Sequence, residues 1–409
     1  MKITAVRVIV TCPTRNFVLV KIETDAGLYG VGDATLNGRE LAVAEALEKH
    51  IAPLLIGRDP GRIEDTWQYL FRGTYWRGGP VLMTALAGID LALWDIKGKA
   101  ANMPVYALLG GKTREAALCY THCGGRDFSQ VEDNVRAAVE KGYKVIRVQV
   151  AIPGTSGTYG VGAARPAAPD NAGMKWLAQE GLPFEETWEP GPYLRTIPRL
   201  FEHLRLRLGD EIELFHDVHE RLTPIQAARL AKELEPYHLF FLEDCLRPEH
   251  KESFRIVRRA STTPLAMGEL FHTKWECLPL ISEQLIDFIR CDLGHIGGIT
   301  EAKKIAAIAE AYYVQTAWHG PGDVAPPTHA ANVHVDISIP NFGVQESVSF
   351  PPEVQEVLPG GPTYKDGSLW VSDAPGLGTD LNEKAARKYP YKRGYLPTSR
   401  RADGAVQDW

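Results

Sequence analysis

Hydrophobic and polar positions change rhythm along the chain. Residues 1 to about 34 alternate on a period of two: "ITAVRVIV", "FVLVKIET", the turn "DAG" and "LYGVGDA" predict strands. Apolar positions then recur at helical spacing from Glu40 to His50, from Ile63 to Phe71 and from Val81 to about Ala101. The last of these carries "ALAGIDLALWDIKGKA" and stops at "NMPVY", where proline discourages continuation. Strands followed by helices predict an α+β domain.

From about Ala116 the pattern becomes short β-like runs separated by helical segments. The runs are "ALCYTH", "KVIRVQV", "IELFHD", "LFFLED", "PLAMGE", "DFIRCD", "VQTAWH" and "FGVQE". A helix is predicted over Thr223–Leu234, where Thr223 can cap and Pro224 suits the first turn, and another over about Thr300–Ala311. Eight strands with helices between them predict an α/β fold of (β/α)-barrel type, although periodicity alone does not exclude an open sheet. One connection breaks the rhythm. A Gly/Pro/Ala-rich insert follows the second strand over about 152–190, too long for an ordinary connection, and is read as a functional lid or a disordered excursion.

Composition narrows the class without naming a chemistry. A chain of 409 residues exceeds the usual single domain, and 44% apolar with 23% charged residues describes a globular protein. The net charge of −6 argues against a general nucleic-acid or anionic-membrane surface. Six scattered cysteines lack a C-x-x-C and fit a reducing compartment better than a disulfide scaffold. The N-terminus alternates like a strand rather than a signal peptide, and no apolar run reaches membrane-spanning length. The expected setting is cytoplasmic.

Candidate chemistry lies at the strand ends. In "LFHDVHER", side chains two apart on a strand point the same way, so Asp217 and His219 are expected to share a face. Asp217, Glu243 and Glu269 end the third, fourth and fifth strands at intervals of 26 residues, 217 to 243 and 243 to 269. In a barrel, three carboxylates at successive C-terminal strand ends converge on the mouth. Unpaired, they would repel and be costly to desolvate; a hard divalent cation removes that cost, and an all-oxygen set favours Mg²⁺. Any one of them could instead be a surface ion-pair partner, and Asp217 could simply cap the next turn. Other strand ends carry His122, Arg147, Arg290 with Asp292, His319 and Glu346. Asp292 near His319 would fix the imidazole tautomer. Cations, imidazoles and a metal around one mouth suit an anionic, hydroxylated substrate.

These stretches resemble a known family. "ALAGIDLALWDIKGKAANMPVYALLGG", the spacing of the three acids and "GGITEAKKIAAIA" are similar to the enolase superfamily, in its mandelate-racemase-like branch, over essentially the whole chain. Within that branch, "CDLGHIGGITEAKKIA", "WHGPGD", "PNFGVQE" and the C-terminal "GYLP" and "DW" resemble the D-mannonate dehydratase family. Where many relatives place lysines, "VIRVQV" has Arg147 and Gln149, a departure typical of that family, which uses a Tyr–Arg pair matched here by Tyr159 and Arg147.

The resemblance implies an α+β capping domain over 1–115, a (β/α)₇β modified TIM barrel over 116–350, and a segment over 351–409 returning to the cap. It also implies Mg²⁺-dependent dehydration of D-mannonate to 2-keto-3-deoxy-D-gluconate. Tyr159 would remove the proton α to the carboxylate, its phenol made more acidic by Arg147, and His219 would protonate the departing 3-hydroxyl. Substrate contacts carried over by resemblance are Asn37, His122, His219, Glu269 as a shared metal ligand, Arg290, His319, Asp323 and Glu346. Relatives suggest a homo-oligomer, tetramer or octamer, with a small sugar acid as partner. Rival readings are a dehydratase of another hexonate such as D-gluconate, an epimerase, and a sugar-acid-binding regulator.

Overall fold

The computed structural model describes residues 1–152, 185–396 and 398–408. Three antiparallel strands, Ile3–Thr11, Phe17–Thr24 and Tyr29–Asp33, open the chain, and the helix Pro80–Ala101 lies across them. Glycine makes that close approach possible. A Cβ at Gly30 would stand 2.0 Å from the carbonyl oxygen of Ala92, and one at Gly32 2.0 Å from that of Gly88. The helix starts with Pro80 in its first turn and ends at left-handed Asn102, within the "NMPVY" that marks its end in the sequence. The pattern from Glu40 resolves into an α-helical turn, Glu40–Glu45, that widens into a π-helical stretch over Ala46–Ile51.

Among the described residues, eight parallel strands form the barrel: Ala117–Gly125, Val145–Val150, Glu213–Asp217, Leu242–Glu243, Leu265–Met267, Phe288–Ile289, Gln315–Thr316 and Gln345–Glu346. Each lies within or overlaps its predicted run. The sheet is closed, which rules out the open alternative: the eighth strand pairs with the first (Gln345 with Cys119, Glu346 with Tyr120), and a parallel bridge joins Thr316 to Phe342. Helices follow the first seven strands, and the eighth has none before the tail, giving the (β/α)₇β arrangement. The predicted cap at Thr223 forms a capping box, with Gln226 Oε1 accepting from the Thr223 N–H at 3.0 Å.

The strands divide their inward positions into two layers. Tyr120, Val145, Phe215, Phe241, Ala266, Phe288, Ala317 and Val344, one per strand, form a single buried apolar cluster that plugs the barrel. Two residues further along, on the same face, stand His122, Arg147, Asp217, Glu243, Gly268, Arg290, His319 and Glu346. The polar strand ends therefore form a layer directly above the plug.

After the barrel the chain returns to the cap. Thr11 Oγ1 donates to the carbonyl of Ala386 at 2.9 Å, and Glu383 pairs with Lys21 at 2.9 Å and with Arg7. Phe17, Leu19 and Val31 of the cap sheet are buried against Val354, Val357, Leu358, Leu381, Ala385 and Ala386. Thr398–Arg400 pairs in parallel with Glu185–Thr187, near the C-terminal end of the insert. Among the described residues, no helix is long and apolar enough to cross a membrane.

Candidate active site

Strand one delivers His122 and strand two Arg147. Arg147 Nη2 lies 3.2 Å from His122 Nδ1, and His122 Nε2 lies 2.8 Å from Glu346 Oε1 at the end of strand eight. This pairing holds His122 with its proton on Nε2, accepting from the guanidinium through Nδ1. Arg147 Nη1 also lies 3.1 Å from Asp217 Oδ2 and 3.7 Å from Glu243 Oε1, so one guanidinium joins the ends of strands one to four. Arg290 Nη2 stands 2.6 Å from Glu243 Oε1 and 3.6 Å from Glu346 Oε2. Arg290 has no accessible surface. Its Nη1 donates to the Ala317 carbonyl at 3.1 Å.

His219 arrives by a different route from the one its spacing suggests. The third strand ends at Asp217, and His219 and Glu220 take φ of 57° and 65°, the left-handed region. Asp217 Oδ1 accepts from the His219 N–H at 2.7 Å, so the capping and mouth readings of Asp217 both hold. The turn points His219 Nε2 toward Glu269 Oε1 at 3.7 Å. Shared strand alternation is therefore not what brings acid and imidazole together.

On the far side of the mouth, His319 Nδ1 is 2.8 Å from Asp292 Oδ2, as the tautomer argument expects, and its Nε2 is 3.3 Å from Glu269 Oε2. Burial disfavours the charged imidazole, but Glu269, Glu346 and Asp292 outweigh it and raise His319 to about 10. Asn37 of the cap donates to Asp323 Oδ2 at 2.7 Å, which sets cap loop and barrel loop against each other. Asp33 secures that joint by accepting from the Ala325 N–H at 2.6 Å and from Thr328 Oγ1 at 2.8 Å. Tyr159 lies outside the described residues.

The acids carry the clearest electrostatic signature. Glu243 is fully buried, and among the described residues neither of its oxygens has a hydrogen-bond partner; the close Arg290 contact is an ion pair without hydrogen-bond angles. Burial, reinforced by Asp217 and Glu269 and opposed by Arg290 and Arg147, pushes Glu243 up to about 8. Asp217 moves the other way, because His219 and Arg147 overcome its burial. One oxygen each of Glu243, Asp244 and Glu269 lie within 4.8 Å of one another. An oxygen-only set with buried, unsatisfied lone pairs fits a hard divalent cation. The structure thus brings Glu243 and Glu269 into one cluster, with Asp217 beside it across Arg147. Asp244 and the buried Glu220, itself pushed up to about 9 by burial and by Glu269, were missed in the sequence. Their signals were slight: a second acid directly after Glu243, and a second ionisable residue directly after His219.

Closed barrel, cap and acid-lined mouth match a known group. Residues 4–110 match the mandelate racemase / muconate lactonizing enzyme N-terminal domain, and residues 130–385 match the enolase C-terminal domain-like family. The chain belongs to the enolase superfamily. It is 51% identical over 410 residues, with full coverage of both chains, to a protein named D-mannonate dehydratase from Caulobacter sp. (strain K31). It is 50% identical over 409 residues, again at full coverage, to a D-galactonate dehydratase family member from Pseudarthrobacter chlorophenolicus. A crystal structure of an enolase from Pantoea ananatis, with bound D-gluconate and Mg, superposes with a TM-score of 0.92 at 48% identity and covers 100% of each chain. Within the superfamily, the chain is a sugar-acid dehydratase.

Proposed function

We propose that the chain dehydrates D-mannonate to 2-keto-3-deoxy-D-gluconate, with Asp217, Glu243 and Glu269 holding Mg²⁺. The observation that carries this reading is the buried carboxylate cluster with unsatisfied oxygens, flanked by Arg147 on one side and by His219 on the other. Bound there, Mg²⁺ supplies positive charge that holds the substrate carboxylate and makes the proton on C2 more acidic. Tyr159 takes that proton, and Arg147 lowers the energy of the phenolate. His219 gives a proton to the 3-hydroxyl as the C3–O bond breaks, so water leaves and the resulting enol becomes the 2-ketone. Asn37 and Asp323, hydrogen-bonded across the cap–barrel joint, meet the hydroxylated end of the substrate. His122 and His319 face it from either side of the mouth, while Glu346 and Arg290 hold those imidazoles and the cluster in place.

A second reading is dehydration of D-gluconate, which differs only at C2; the gluconate-bound relative from Pantoea ananatis favours it. The test is keto-acid formation from a panel of aldonic acids with Mg²⁺. Fastest turnover of D-mannonate supports the first reading, and fastest turnover of D-gluconate replaces it with the second. No turnover of any acid, with retained binding, would leave a sugar-acid-binding regulator.

A further inference from the structure

In seven strands the mouth layer presents its side chain two positions after the plug residue. In the fifth that position falls on Gly268, and the acid follows one residue later as Glu269. Gly268 has φ of 141°, and a Cβ there would stand 3.1 Å from the Cys291 nitrogen and 3.2 Å from the Arg290 nitrogen. The chain therefore turns tightly against strand six, in a conformation and a space that glycine alone accepts readily.

The fourth strand holds this turn. The Gly268 N–H donates to Asp244 Oδ1 at 3.1 Å, and the Asp244 N–H donates to the carbonyl of Ala266 at 2.9 Å. Asp244 is fully buried and has φ of 40°, a left-handed conformation uncommon for a non-glycine residue. A third contact fixes it from the turn after strand three, where the Glu220 N–H donates to the Asp244 carbonyl at 2.7 Å. Its other oxygen, Oδ2, is buried and has no hydrogen-bond partner among the described residues. A buried carboxyl in a left-handed conformation that clamps one N–H has a purpose when that N–H sets the place of a neighbouring ligand.

We infer that Asp244 is a positioning residue, whose Oδ1 fixes the Gly268 turn and so delivers Glu269 to the cation shared with Asp217 and Glu243. The inference rests on the reading that these three acids hold Mg²⁺. Its content is geometric: an oxygen at the Oδ1 position matters, and the negative charge does not.

Calorimetric titration of Mg²⁺ into the metal-free full-length protein tests it, with near-UV circular dichroism to verify each fold. Asp244→Ala should weaken Mg²⁺ binding about ten- to a hundredfold, while Asp244→Asn, which keeps the acceptor, should stay within about threefold of wild type. Gly268→Ala should weaken binding as Asp244→Ala does, and the double variant should be no weaker than the weaker single. Asn as damaging as Ala would overturn the inference in favour of a charge role. Unchanged affinity in Asp244→Ala, or additive losses in the double variant, would overturn it as well. Were Asp244→Ala to lose its near-UV spectrum, Asp244→Asn against Gly268→Ala decides alone: the first must hold affinity and the second must lose it. A wild-type protein that binds no Mg²⁺ would instead bring down the metal reading beneath the inference.

Discussion

Phe215 and Asp217 stand two residues apart on one strand, both hidden from water, and contribute to the molecule in opposite ways. Phe215 packs edge to face on Tyr120 and lies 4.3 Å, centroid to centroid, from Phe241, within the apolar plug. Asp217, Glu243, Arg290 and Glu346 are as buried as the plug, yet Glu243 keeps unsatisfied oxygens and a raised pKa. Burial stabilises the lower layer by removing apolar surface from water and costs the upper layer by removing charges from it. The barrel carries reactive groups because each strand couples the two within one alternation: the plug offsets the layer above it.

The sharpest way to break that comparison is to disable the proposed chemistry and leave the plug intact. Tyr159→Phe and His219→Asn should each lower dehydration of D-mannonate by roughly two to four orders of magnitude, with unchanged thermal unfolding. NMR of the product measures the first and calorimetry the second; near-normal dehydration by either variant would remove that residue from its role. Glu243→Gln should lower turnover by at least about two orders of magnitude. It should also stabilise the metal-free protein at high pH. A folded pKa near 8, above an unfolded value of about 4.3, means that wild type loses stability as pH rises from about 4.3 through 8. Urea titrations at pH 5 and pH 9 should find the variant's advantage only at the higher pH.

In the lower layer the expectation reverses. Phe241→Ala should cost about 3–5 kcal/mol of stability while leaving the turnover of the folded fraction within a few-fold of wild type. A large fall in turnover without loss of stability would show that the layers are not separable. The smallest effect belongs to a site outside both. Glu235, held down to about 2 by Lys232, the Thr262 N–H and Ser261, contributes stability above its unfolded pKa that is lost as pH falls toward 2. Glu235→Gln should flatten the stability profile between about pH 4.3 and pH 2 and leave activity untouched.

Much of this was legible in the chain. The eight runs lie where the strands lie, because inward-facing apolar positions on short strands leave a mark in composition. Asp217, Glu243 and Glu269 were visible because regular βα units put their strand ends at equal intervals. What escaped depends on positive φ, which leaves no trace in alternation. Period-two reasoning sends Asp244 to the outside of the barrel, away from Glu243, but a left-handed turn returns it to the cluster. It also offered the wrong reason for the right neighbour at His219. The burial of Arg290 was equally hidden, because depth within a barrel is set by the neighbouring strands rather than by its own.

The cap sheet has two faces, and they are completed at very different moments of synthesis. One is covered by helices that follow at once, such as Pro80–Ala101. The other, with Phe17, Leu19 and Val31, meets its cover only when residues 354–386 have left the ribosome. At roughly 5–20 residues per second, that apolar face waits on the order of tens of seconds. The nascent chain is thus sticky at its beginning until its end has been made, and a ribosome stalled inside the barrel would release a protein whose first strands invite aggregation.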